Sequence, residues 1–355
     1  MLLRRLSVLL ALAIAAAMSV GVTAAPSRAA GGPSYAPLNR PGPRLSVPAA
    51  RLRASMQCHG DPRRGPEPVL LDPATTATPQ QNYSWNYELA FDAQHRYWCA
   101  VTMPYHTTGD IQTVGEYLVH GIRVMHQRTG RRIGILGHSQ GGMSMRWALR
   151  FWPDTRAMVD DVIGMAGTNH GSTAFGQACL AGLTTCAPAM WQQRAGSAFV
   201  KALNSRAETF KDISYTEIYT HLDEVVTPTN GPHPTSALST GAGRITNVAV
   251  QSICPAVLDE HVTIGTIDPV AYALVMDALD HRGPAVPSRI DRSKVCGRLY
   301  MPYVDPTNVS MYLTVLQMLP GLAAADLPVV DPWEAPMTRH EPALRCYVYA
   351  AGCAR

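Results

Sequence analysis

Charge is scarce in this chain. Only 16% of its 355 residues are Asp, Glu, Lys or Arg, and 30 basic against 26 acidic residues leave a net charge of +4. The basic residues form no long run; the densest block is RLRASMQCHGDPRR, residues 51–64. A nucleic-acid-binding protein concentrates basic charge on one face, so that class is excluded. No two cysteines have C-x-x-C spacing, which removes the usual framework of a zinc site. There is no internal repeat. Beyond the N-terminus no apolar run reads as long enough to cross a bilayer.

What is present is buriable. Hydrophobic residues make up 46% of the chain, a globular and not a disordered composition. The N-terminus, MLLRRLSVLLALAIAAAMSVGVTAAPSRAA, has two arginines, an apolar run and then small residues. It reads as a secretory signal peptide over residues 1–25, cut near Ala24 or Ala25, with Ala30 as a further site. A membrane anchor is the competing reading, with an apolar run near the lower limit for a span. The expected location is extracellular.

Eight cysteines behind such a leader suggest disulfides. They allow 105 connectivities. Sequential pairing is the simplest: Cys58–Cys99, Cys179–Cys186, Cys254–Cys296 and Cys346–Cys353. The two long-loop bridges would each contribute ~2–4 kcal/mol.

Residues 26–50 are rich in Pro, Ala, Gly and Arg and read as an extended arm without a core pattern. One catalytic domain is expected to follow, over about residues 51–355. Short apolar runs mark strands at 68–72, 97–103, 132–136, 159–167, 215–220 and 244–250. Helical spacing covers 110–130, with Gly130 suited to the C-terminal cap, and 143–152, which stops at Pro153. A late helix is expected at 308–319. Alternating strands and helices imply an α/β fold with a mostly parallel sheet covered on both faces.

Gly137-His138-Ser139-Gln140-Gly141 fits G-x-S-x-G between a buried strand and a helix. Such a turn strains the serine backbone so that Oγ projects into a cleft, and only small residues fit around it. A serine hydroxyl needs a base. In hydrolase order an acid and then a histidine follow the serine, each after a later strand. Asp223 follows the strand at 215–220, and His261 follows that at 244–250. Glu224 and Asp259 compete as the acid; His170, His221 and His281 compete as the base. His170 precedes the acid and is expected to be structural or cleft-lining. The oxyanion would be held by the Gln140 backbone N–H and by a loop after an early strand, where Thr75 is the best residue. This chemistry requires no metal and no cofactor.

The chain resembles the Candida antarctica lipase B type of α/β-hydrolase. The similar segments are ASMQCHG (54–60), PVLLDPATTATPQQNY (68–83), PAMWQQRAGSAFVKALN (188–204), YTHLDEVVTP (219–228) and QSICPAVLDEHVTI (251–264). The resemblance implies Ser139, Asp223 and His261 as a triad, and Thr75 as a donor through both N–H and hydroxyl beside Gln140. It supports the Cys58–Cys99 and Cys254–Cys296 bridges. It also implies a lipase or esterase acting on a lipid or ester, at a lipid–water interface, as a monomer. Three departures stand out. His138 replaces a Trp that lines the alcohol-side pocket. Ala74 and Thr76 replace glycines flanking the oxyanion Thr. Cys179 and Cys186 would cross-link the segment 175–191, where that lipase has a mobile lid. With 308–324, the apolar residues of 175–191 are expected to accept acyl chains. A polyester or cutin hydrolase, an acyltransferase, a peptidase and a non-catalytic binding protein are the alternatives.

Overall fold

Seven strands form one sheet in a computed structural model that describes residues 34–305, 307 and 335–353. They are β1 (Met56–His59), β2 (Val69–Asp72), β3 (Trp98–Val101), β4 (Ile133–His138), β5 (Val159–Met165), β6 (Ser214–Tyr219) and β7 (Arg244–Ala249). The order is β1-β3-β2-β4-β5-β6-β7. Only β1 is antiparallel to its neighbour; the other pairings are parallel. The six strands read from apolar runs are therefore the parallel ones.

Helices fill the connections: α1 (Ala49–Ala54), α2 (Pro79–Tyr83), α3 (Tyr87–Ala93), α4 (Ile111–Thr129), α5 (Gln140–Phe151), α6 (Thr173–Ala178), α7 (Pro188–Gln192), α8 (Ala198–Leu203), α9 (Val250–Ile253), α10 (His261–Ile264), α11 (Pro269–Asp280) and α12 (Arg292–Val295). The period-2 alternation of each strand divides the core. Leu70, Cys99, Val101, Ile133 and Ile135 meet α4, α5 and α8 on one face. Val69, Leu71, Trp98, Ala100 and Leu136 meet α2, α3, α9 and α11 on the other.

Local signals act where expected. Asp110 caps α4 by accepting from Gln112 N–H, and Gly130 ends it in the left-handed conformation, φ 66°. Thr78 and Gln81 form a reciprocal capping box on α2.

The structure differs from the sequence reading at two places. Residues 35–50 are seated on the body and are not a free linker. Ala36 is buried, Arg150 donates to its carbonyl and Trp152 Nε1 donates to that of Pro43. Helix α11 carries no amphipathic period because it is buried almost all round. With α10 it makes His261–Asp280 long and apolar enough to cross a membrane by length and composition alone, yet 89% of that stretch is buried in the core. The expected signal peptide and the helix at 308–319 lie outside the described residues.

All four disulfides follow sequential pairing: Cys58–Cys99, Cys179–Cys186, Cys254–Cys296 and Cys346–Cys353. Cys58 and Cys99 are register partners on β1 and β3. The antiparallel edge strand is thus covalently joined to its neighbour.

Candidate active site

The turn from β4 into α5 places Ser139 at φ 56°, ψ −117°. This is a region that side chains rarely adopt, and it costs of order 1–3 kcal/mol. Glycines make room for it. A Cβ on Gly137 would collide with the Gly141 backbone, and one on Gly141 with the Asp72 carbonyl. The helix start is thereby pressed onto the ends of β2 and β4.

Two loops beyond β6 and β7 reach the serine. His261 opens α10, whose N-cap Glu260 accepts from the Val262 and Thr263 N–H groups. His261 Nε2 lies 2.9 Å from Ser139 Oγ, and its Nδ1 lies 2.9 Å from Asp223 Oδ2. The other Asp223 oxygen accepts from the N–H of Val225 (2.9 Å) and of Val226 (2.7 Å). All three residues are buried; Ser139 is 3% exposed. Burial draws the His261 pKa down. The charge of Asp223 and its hydrogen bond, then Glu224 and Glu260, outweigh that and leave it above the ordinary 6.5.

The rival residues are elsewhere. His170 holds Glu208 at 2.5 Å and lies 2.9 Å from the Thr235 carbonyl. It lines a cavity of about 520 Å³ with Pro234 and Leu238, so its part is structural and cavity-lining. Asp259 accepts from Thr220 Oγ1 through its backbone carbonyl. Glu224 reaches the His261 N–H at 3.4 Å and not the imidazole.

Thr75 and Gln140 come together. Thr75 Oγ1 donates to Gln140 Oε1 at 3.1 Å. Gln193 Nε2 donates to Thr75 Oγ1 (3.0 Å) and to Gln140 Oε1 (3.1 Å), while Thr168 Oγ1 donates to Gln193 Oε1. Asn82 Oδ1 fixes the Ala74 N–H, and Thr107 Oγ1 donates to the Ala74 carbonyl. Among the described residues the N–H groups of Thr75 and Gln140 donate to no protein group. Gln140 N–H is an orphan by position, the first of α5. Ala74 and Thr76 are bulkier than the glycines they replace. The structure absorbs the added bulk by holding Thr76 at φ 68°, a conformation that suits glycine.

One expectation is corrected. His138 is not on an open pocket wall. It is 1% exposed, its Nε2 donates to the His261 carbonyl at 3.0 Å, and its ring is packed on Gly265. Burial, helped by His261, pulls its pKa to about 3, so it is neutral and braces the histidine loop. Segment 175–191 is turned inward at both ends, where Phe175, Cys179, Cys186, Met190 and Trp191 make a small core of their own, while residues 180–183 are exposed. It is clasped by Thr338, which pairs with Cys186 and accepts from Trp191 Nε1. Leu180 and Leu183 are its exposed apolar side chains. The other expected acyl-accepting segment, 308–324, lies outside the described residues.

Reasoning from sequence missed Gln193, Asn82 and Asp72. The signal for Gln193 was present in the WQQ motif, where two amides follow a tryptophan on an otherwise apolar helix. One group with metal-ligand spacing occurs among the described residues: Glu67, Asp160 and Asp161. It lies at the opposite end of β5 from the triad. Burial pushes the Glu67 and Asp161 carboxyls well up, and Arg132 pairs with Asp160.

Comparison with known proteins agrees with the fold. Residues 116–253 match the family described as Lipase (class 2). Lipase B of Pseudozyma antarctica is 32% identical over 217 residues, 60% of this chain and 61% of that protein. The match thus spans less than two thirds of that relative's length. The crystal structure of Aspergillus fumigatus lipase B superposes with a TM-score of 0.76 at 27% identity, over 90% of this chain and 77% of that one. The chain has the α/β-hydrolase fold and is similar to lipase B in sequence and structure.

Proposed function

We propose that this chain is a secreted serine ester hydrolase of the lipase type. The observation that carries the reading is the continuous contact from Ser139 through His261 to Asp223, beside two backbone N–H groups without protein partners. His261 Nε2 takes the Ser139 proton as Oγ attacks the ester carbonyl. The Gln140 and Thr75 N–H groups hold the oxyanion. The Thr75 hydroxyl joins them once it turns from Gln140 Oε1. Asp223 stabilises the imidazolium. His261 gives the proton to the leaving alcohol, and water then repeats the sequence on the acyl-enzyme, releasing the acid and restoring Ser139.

Similarity to two lipases B and to the class 2 lipase family supports an ester substrate. The four disulfides and the N-terminal leader support secretion. We read the enzyme as monomeric, with lipid or another ester as its partner. Rates on p-nitrophenyl esters and triglycerides from short to long chains test the function. A rise with acyl length supports a lipase. Activity on solid polyester alone would move the reading to a polyester hydrolase, and absence of any ester cleavage would end it.

A further inference from the structure

A second buried carboxyl, Asp72, adjoins the nucleophile turn and has no part in the mechanism above. It is the last residue of β2, fully buried, and Pro73-Ala74-Thr75 follow directly. Its carbonyl accepts from the Tyr83 hydroxyl at 2.8 Å and is the group against which Gly141 packs. Its Oδ2 lies 2.5 Å from Ser144 Oγ, in the first turns of α5. Ser144 Oγ is also 3.0 Å from the Gln140 carbonyl. Asp72 Oδ1 is buried without a hydrogen-bond partner.

We propose that Asp72 is a positioning residue for the ester hydrolysis: its carboxyl, through Ser144, ties the loop that carries Thr75 to the helix that carries Gln140 and so sets the spacing of the two oxyanion donors. The inference rests on the hydrolase reading of the site. The hydroxyl of Ser144 has one hydrogen and three acceptors in range, the Asp72 carboxyl, the Gln140 carbonyl and, at 3.4 Å, the Gly141 carbonyl. A neutral Asp72 resolves this by donating its own O–H to Ser144 Oγ, which leaves the Ser144 hydrogen for the Gln140 carbonyl. The chain then runs unbroken from β2 to the first residue of α5. An ionised Asp72 would reclaim that hydrogen and leave a charged oxygen buried without a donor, which is costly.

The surroundings favour the neutral form. Burial pushes the Asp72 carboxyl up to about 8, only partly offset by Ser144. Tyr83 faces it from α2, and burial holds that phenol well above its ordinary range. On β4 its register partner is Gly137, next to the neutral His138. On β6, Glu217 is a second buried carboxyl near this helix, wedged against Gly164 and Gly167 and also pushed to about 8 by burial, against the pull of Arg146.

The test is kcat and KM on a short-chain ester from pH 6 to 9.5, with Ser139→Ala as the inactive reference. For the wild type, kcat is expected to fall about tenfold from pH 7.5 to 9.5, with KM steady, because the oxyanion donors act in the transition state. Asp72→Asn, which can donate to Ser144 but cannot ionise, is expected to lose that fall. Glu217→Gln is expected to keep it. Ser144→Ala, which cuts the link but spares the carboxyl, is expected to lower kcat without raising KM; it serves if the Asp72 variant fails to fold. An Asp72→Asn profile matching the wild type, a fall that vanishes in Glu217→Gln, or a Ser144→Ala effect confined to KM would overturn the proposal. A wild type with no ester hydrolysis at all would instead remove the hydrolase reading.

Discussion

Two buried aspartates flank the same nucleophile, and their surroundings differ in one respect: the number of donors. Asp223 receives the His261 Nδ1–H and two backbone N–H groups. Asp72 has a single serine hydroxyl in range and one oxygen with no partner. At Asp72 burial disfavours charge, and its one donor offsets that only in part. Residue type therefore does not assign a role. A carboxyl becomes an electrostatic partner where the backbone turns N–H groups toward it, as the loop 223–226 does. It becomes a neutral tie where a strand end delivers it into an apolar layer.

Variants can break or sharpen this contrast. The largest effect is expected for Ser139→Ala, which should lower kcat by about 10⁴–10⁶ with folding retained; near wild-type turnover would sink the assignment. Asp223→Asn comes next, with a loss of about 10⁴ in kcat, since the amide favours the wrong imidazole tautomer. Comparable losses from Asp223→Asn and Asp72→Asn at pH 7 would erase the distinction between the two sites. Thr75→Val keeps the N–H and removes the hydroxyl, and is expected to cost about 10²-fold in kcat with little change in KM.

The next effect is on stability. In the folded chain Asp72 keeps a proton that the unfolded chain loses above about pH 4. Its burial therefore weakens the fold progressively as pH rises from about 4 to about 8, and the penalty then levels off. The Tm advantage of Asp72→Asn over wild type should grow across that window, by about 3 °C or more. A constant difference would contradict a raised pKa. His261 has the opposite consequence for activity. Its pKa lies above 6.5 and the base must be neutral, so activity should fall on the acid side from a point above pH 6.5.

The smallest effect concerns the Cys179–Cys186 loop. With the bridge intact and Thr338 clasping it, little rate increase is expected as a triglyceride passes its solubility limit. Replacing both cysteines by alanine should increase that response. A sharp jump in the disulfide-bonded protein would count against a constrained loop.

The sheet was largely legible because β2, β3, β4 and β5 carry short apolar runs buried on both faces, while β6 (SYTEIY) and β7 (RITNVA) are more mixed in composition but still rich in β-forming residues. Strand β1 was not, since MQCH alternates between half-buried and exposed positions at an edge. Nor was α11, whose twelve residues are apolar nearly all round and give no helical period. Ser139, His261 and Asp223 could be ordered along the chain because each follows a strand end. The roles of Gln193 and Asp72 depend on which atoms meet across 53 to 118 residues of sequence, and a local motif such as WQQ marks a residue without naming its partner. His138 was misplaced for the same reason: its partner is a carbonyl 123 residues away.

The most direct test of the central claim is labelling with an alkyl fluorophosphonate, followed by intact-mass measurement and peptide mapping. The expected result is one adduct per chain, on Ser139, formed in the folded protein, absent after denaturation and absent in His261→Ala. No adduct on the folded protein, or an adduct on another serine, would contradict it.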